Sequence, residues 1–167
     1  IIKDLNCQGC HIIEGTGGQI ADVIGNPAFS PPNLNTQGSK TQPNWLFEFL
    51  KNPTIIRPSL QVRMPSFNLS DEDWNSVIKA FQHVEGNDLA FESDHPFDSK
   101  STHFKAGTML EELGACNNCH FYGTTFPKQG AQTWAPNLAM SKHRLRPDWM
   151  KEWLRDPQAI MPGTQMP

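Results

Sequence analysis

All four cysteines of this 167-residue chain fall into two copies of one pattern, Cys7-Gln8-Gly9-Cys10-His11 and Cys116-Asn117-Asn118-Cys119-His120, with none left over. Two thiols separated by two residues and followed at once by an imidazole form the C-x-x-C-H signature of covalent c-type haem attachment. The thiols make thioether bonds to the porphyrin vinyl groups, and the histidine becomes the proximal iron ligand. The spacing has a reason: one helical turn presents both sulfurs to one edge of the macrocycle, and the next residue swings its imidazole under the iron. A thioredoxin-like redox pair, half a zinc site or two structural disulfides would each leave the histidine after both pairs unexplained. Zinc-ribbon knuckles usually lie about 15 to 20 residues apart, whereas more than a hundred separate Cys10 from Cys116. The expectation is two covalently bound haem c groups, with iron held by His11 and His120.

The elements that must position these motifs are also duplicated. Pro32-Asn33-Leu34 recurs as Pro136-Asn137-Leu138, and the same shift of 104 positions carries Pro43, Trp45, Leu50 and Pro53 onto Pro147, Trp149, Leu154 and Pro157. Such self-similarity marks a repeated structural unit. The haem motifs are offset by 109, so a five-residue difference falls in the loop between haem attachment and Pro-Asn-Leu, where length differences are tolerated. Trp45, Leu46, Phe49 and Leu50 stand at helical spacing, and Trp149, Met150, Trp153 and Leu154 reproduce it. Both read as short amphipathic helices that begin near a proline and stop at Asn52-Pro53 and Asp156-Pro157, because the residue before proline avoids the helical region. Ser70 followed by Asp71, Glu72 and Asp73 signals the capped start of a further helix with Trp74, Val77, Ile78 and Phe81 on one face. Another helix is expected from about His103 to Ala115, leading into the second motif.

Composition agrees with two small units rather than one large one. Hydrophobic residues make up 37% and charged residues 19%, with 14 prolines and 12 glycines. Loops must be abundant and the protein-only core thin, and units of about 80 residues with thin cores rely on a metal, disulfide or cofactor. The expected division is a first domain over 1–86, an acidic linker over 87–102 and a second domain over 103–167. A formal charge of −3 argues against nucleic-acid binding. No apolar run is long enough for a transmembrane helix, and the opening residues lack the pattern of a signal peptide.

With these residues in view, the sequence resembles the class I cytochrome c family, twice and over nearly its whole length. The resemblance implies an all-α fold of two tandem domains, each a few short helices wrapped round one haem. It implies that the carbonyls of Pro32 and Pro136 accept the Nδ1 protons of His11 and His120, and that a methionine on a later loop is the distal ligand. In the first domain that methionine is Met64, in Arg63-Met64-Pro65. In the second, Met161 and Met166 both stand in Met-Pro pairs, beside Met109, Met140 and Met150. Register from the duplicated proline favours Met166, with Met161 as fallback, and a bis-histidine site using His143 or His103 is the outside alternative. Phe104-Lys105-Ala106-Gly107 is similar to the start of the family's N-terminal helix. Only six residues precede Cys7 and one follows Met166, so against the family pattern a terminal helix is short or missing in each domain, and the 167 residues are expected to be a slice of a longer polypeptide.

Three function classes follow. The first is a dihaem electron carrier working between a protein donor and acceptor in a respiratory-type chain, not an enzyme. The second is a cytochrome module or subunit of a larger membrane respiratory or dehydrogenase complex. The third, a dihaem peroxidase-like enzyme, needs an iron with a releasable sixth ligand, and a methionine in each repeat speaks against it. Lys142, His143, Arg144 and Arg146 form a basic cluster that reads first as a solvated loop and, as the alternative, as a surface that steers an acidic redox partner. By the resemblance, haem attachment takes place outside the cytoplasmic membrane, so the expected location is periplasmic or exported, free or held at the membrane through a partner or a further segment.

Overall fold

The computed structural model describes residues 1–26, 29–86 and 98–167. Its regular elements are short helices and one two-stranded ribbon. In chain order they are α1 (Cys7–Cys10), β1 (Ile12–Ile13), β2 (Thr16–Gly17), α2 (Ile20–Ile24), α3 (Gln37–Lys40), α4 (Pro43–Lys51), α5 (Asp71–Val84), α6 (Thr102–Gly114), α7 (Ser141–Arg144), α8 (Pro147–Arg155) and α9 (Pro157–Ile160). The all-α expectation holds apart from the ribbon, where Ile12 pairs with Gly17 and Ile13 with Thr16. Periodicity gave no sign of it, because two-residue strands carry no alternation. The turn between them needs left-handed backbone at Glu14 (φ 50°) and Gly15 (φ 74°), the torsions of a tight type I′ hairpin.

Helix ends follow local chemistry. Proline opens α4 and α8, where its missing N–H costs nothing, and Asn52 and Asp156 end them before the next proline. Ser70 caps α5 with a full capping box, its hydroxyl accepting from the Asp73 amide while the Asp73 carboxylate accepts from the Ser70 amide. Ser101 likewise accepts from the Phe104 amide at the start of α6.

Contacts divide the chain into two units. The first comprises Ile1–Ile55, Leu60–Phe91 and Lys142–Pro167; the second comprises Ile56–Ser59 and Glu92–Ser141. In the first unit α4 lays Leu46 and Leu50 against Trp74 and Ile78 of α5, with Trp45, Phe47, Phe49, Met64, Phe67 and Leu69 packed around them. In the second, Phe121, Phe126 and Trp134 form a three-ring cluster with centroids 5.1–5.6 Å apart, a spacing suited to edge-on aromatic pairs. None of α6 is buried, and Leu113 is 83% exposed.

This partition differs from the boundaries expected of the sequence, since Lys142–Pro167 joins the first unit rather than closing the second. The cause is a backbone bridge between Thr41 and Leu145, flanked by hydrogen bonds from the Gln42 amide to the Arg144 carbonyl and from the Arg146 amide to the Lys40 carbonyl. Residues 87–97 of the expected linker lie outside the described residues.

Gly38 shows how tightly α3 meets α5. It is buried, and a Cβ there would collide with the backbone carbonyl of Phe81. Gly38→Ala is expected to lower stability by about 1–3 kcal/mol through overpacking, read as a reduced denaturation midpoint with an unchanged denaturant slope. A neutral substitution would mean that the two helices have room to part.

Candidate functional site

Each cysteine pair sits on a single turn, α1 for Cys7 and Cys10 and a 3₁₀ turn over Cys116–Asn118 for the second pair. The His11 amide donates to the Cys7 carbonyl and the His120 amide to the Cys116 carbonyl, both at 2.9 Å. The same compact turn therefore delivers thiol, thiol and imidazole in both places. The residue before each pair, Asn6 (φ 51°) and Ala115 (φ 47°), is left-handed. For alanine that conformation costs about 1–2 kcal/mol, the kind of local strain that collects at functional sites.

Both imidazoles are held from behind. His11 Nδ1 lies 2.8 Å from the Pro32 carbonyl oxygen and His120 Nδ1 lies 2.7 Å from that of Pro136. A carbonyl only accepts, so each Nδ1 carries the proton, and in the neutral ring Nε2 is left with a lone pair for a metal. Burial lowers the His11 pKa below the ordinary histidine value, partly offset by the Pro32 bond, and so favours that neutral form.

A second clamp fixes each loop, with the Leu34 amide donating to the Ile12 carbonyl and the Leu138 amide to the Phe121 carbonyl, both at 2.9 Å. Asn33 and Asn137 shape the turn by accepting from the amides two residues on, Asn35 at 2.8 Å and Ala139 at 3.0 Å. Sequence reasoning found these asparagines only as part of the repeated Pro-Asn-Leu. An asparagine ahead of a loop reversal was the available signal for their turn-forming role. The hairpin after His11 also has its counterpart, a Tyr122–Thr125 bridge with Gly123 at φ 60° where Glu14 stands in the first copy.

None of the four cysteines is paired in a disulfide, and all are half-buried. Burial pushes the Cys7 thiol up from its ordinary value, with Cys10 adding to the rise. No described residue has a side chain under 2% exposed. Each turn by itself offers two thiols and a histidine whose Nδ1 is already bonded, so that its Nε2 faces outward as a lone-pair donor; that donor set fits a group attached at one edge and ligated at its centre.

The expected distal residues are placed as follows. Met64 is half-buried against the aromatic core of α4 and α5, in the same unit as His11. Met166 accepts a hydrogen bond on its sulfur from the Trp153 indole N–H at 2.9 Å, while Met161 caps the end of α9. Both belong to the first unit, whereas His120 belongs to the second. His103 and His143 are exposed, in the first turn of α6 and in α7.

Residues 1–79 match the family model of cytochrome c. No curated protein and no solved structure matches the chain. The likeness of residues 1–79 to a cytochrome c domain supports an electron-transfer role with covalently held haem c. No helix among the described residues is long and apolar enough to cross a membrane.

Tyr122, the sole tyrosine, lies just beyond His120 and is raised to about 12, first by burial and then by the Glu111 carboxylate that charges against it and hydrogen-bonds it. Folding thus favours the neutral phenol. That contribution is complete below the ordinary tyrosine value of about 10 and is lost as pH rises towards 12. A tyrosinate absorbance titration should show its midpoint near 12. Glu111→Gln should bring the midpoint part of the way back, with burial holding the remainder, and a wild-type midpoint at the ordinary value would contradict this placement of the ring.

Proposed function

We propose that this chain is a dihaem c-type cytochrome that passes single electrons between protein redox partners in a respiratory-type chain, on the periplasmic or otherwise exported side of the membrane. The observation that carries this reading is the doubled geometry, a C-x-x-C-H turn whose histidine gives its Nδ1 proton to a proline carbonyl at both places. When bound, haem c supplies reversible one-electron exchange at its iron.

The chain's own residues do the rest. Cys7 and Cys10, and Cys116 and Cys119, fix the edge of each group so that its position does not change between redox states. The Pro32 and Pro136 carbonyls hold the proximal rings of His11 and His120 in one tautomer and one orientation. Met64 would be the distal ligand of the first site; Met166, with Met161 as fallback, is the candidate that the register of the repeat offers for the second. Support for Met64 is its place in the same unit as His11, and support for Met166 is its register in the repeat; its sulfur accepts from the Trp153 indole N–H and would have to turn from that bond to bind iron. A thioether held by each group would leave no vacant place for oxygen or peroxide, which favours a carrier over a peroxidase-like enzyme. The soft sulfur favours the reduced state and raises the potential relative to a second imidazole.

Intact-mass measurement under denaturing conditions is expected to give the polypeptide plus two haem groups, and plus one in a variant with Cys116→Ala and Cys119→Ala. An optical potentiometric titration should then resolve two one-electron centres. Met64→His should lower one of them by on the order of 0.1–0.3 V, within the roughly 0.8 V that axial ligands command, and leave the other in place. A single haem in the wild-type chain would overturn the dihaem reading, and a colourless chain would overturn the whole proposal.

A further inference from the structure

The bridge that draws Lys142–Pro167 into the first unit has a property that an ordinary contact lacks. The 104-residue shift that carries the first copy of the duplicated segment onto the second also carries each side of the bridge onto the other. Thr41 pairs with Leu145, its own counterpart. The Gln42 amide donates to the Arg144 carbonyl and the Arg146 amide donates to the Lys40 carbonyl, both at 2.9 Å; Gln42 and Arg146 are counterparts, as are Lys40 and Arg144.

The side chains repeat the relation. The Lys40 ammonium lies 5.0 Å from the centre of the Trp149 ring and the Arg144 guanidinium 5.5 Å from the centre of Trp45, again counterparts exchanged. Each of these rings is stacked on a second aromatic four residues along its own helix, Trp45 on Phe49 and Trp149 on Trp153, at 5.0 and 5.1 Å. The reciprocal rule, in which residue i meets j and the copy of j meets the copy of i, defines an isologous two-fold interface. Here it is obeyed at the bridge, at both backbone hydrogen bonds and at both cation–ring contacts, and the Gln42 side-chain amide adds a bond to the Leu145 carbonyl at 3.2 Å. The seam is not a loose surface touch, because Thr41 and Gln42 are each only 3% exposed and Arg146 only 7%.

We infer that the duplicated segment is a self-complementary docking surface whose partner is the second copy within the same chain. Residues 40–49 and 144–153 recognise each other about an internal two-fold, as two protomers of a homodimer do. The surface is independent of what the cysteine motifs bind, so it stands or falls separately from the electron-transfer reading.

The test uses amide hydrogen exchange on the intact protein with its bound groups. Gln42 (φ −63°) and Arg146 (φ −78°) already have torsions that proline accepts, so Gln42→Pro and Arg146→Pro each delete one seam donor without forcing the backbone. In Gln42→Pro the Arg146 amide is expected to lose at least tenfold of its protection, and in Arg146→Pro the Gln42 amide should lose as much. Arg146→Ala, which keeps the backbone donor, should cost far less, and Gln42→Ala, which keeps the amide but removes the side-chain bond to the Leu145 carbonyl, should fall between the two. The His11 and His120 amides, bonded to Cys7 and Cys116, report that the fold survives. Should either proline variant lose that signal, Lys40→Gln and Arg144→Gln provide the same reading through the ring contacts, each lowering protection of both seam amides by a similar factor. Unchanged protection of the opposite copy in the folded variants would overturn the inference. So would a dimer by analytical ultracentrifugation that dissociates in step with loss of protection, since the partner would then be a second chain.

Discussion

The hydrogen bond from a histidine ring to a proline carbonyl is the constraint around which each half of this chain is built. A histidine at the end of a one-turn helix is free to rotate about two side-chain bonds, and only a fixed acceptor on Nδ1 decides where Nε2 points. To supply that acceptor the chain must travel out and return to the same spot, over 21 residues in the first copy and 16 in the second. The return is fixed by the asparagine turn at Asn33 or Asn137 and by the leucine amide that pairs just beyond the histidine. The long and short loops fill the space differently, with α2 in one and the Phe121–Phe126–Trp134 cluster in the other. The end point is the same within 0.1 Å at the ring nitrogen.

Proline also explains why the two copies can pair. A residue ahead of proline is kept out of the helical region, so Gln42 (ψ 129°) and Arg146 (ψ 135°) are extended where α4 and α8 begin. An extended residue turns its N–H and the neighbouring C=O sideways, and once buried those groups need partners. The nearest backbone of matching shape and opposite polarity is the same stretch of the other copy. The device that starts each helix thereby also creates a self-complementary edge.

Much of this was legible in the sequence, and the rest failed for identifiable reasons. The cysteine and histidine spacing, the proline-bounded helices α4 and α8 and the Ser70 cap are local signals, and the structure places α4, α8 and α5 where those signals predict. The Pro32 and Pro136 carbonyls came from likeness to a family, because no local rule says which residue 21 positions away meets a ring nitrogen. The hairpin after His11 escaped notice because Glu14 occupies a left-handed turn position that normally advertises itself with glycine or asparagine, as Gly123 does in the second copy. The attachment of Lys142–Pro167 to the first unit was invisible, since a bridge of one residue pair has no periodicity, and a repeat seen in sequence does not reveal that its copies touch.

The copies agree on one face and differ on another. In the first, Leu50 is 8% exposed beneath α5 and Gly38 lets that helix approach. In the second, the counterparts are Leu154, 46% exposed, and Lys142, whose side chain would obstruct an equally close helix. The seam face behaves in the opposite way, since Gln42 and Arg146 are both buried there despite their different side chains. Backbone pairing accounts for part of that likeness: two amide-to-carbonyl bonds need an extended residue before a proline, and the Gln42 side chain adds a bond of its own to the Leu145 carbonyl at 3.2 Å, whereas packing a helix at the distance of Gly38 asks for one residue type alone. The seam is therefore held at two levels, by a backbone pairing that the prolines impose and by the Lys40, Gln42 and Arg144 side chains that close over it.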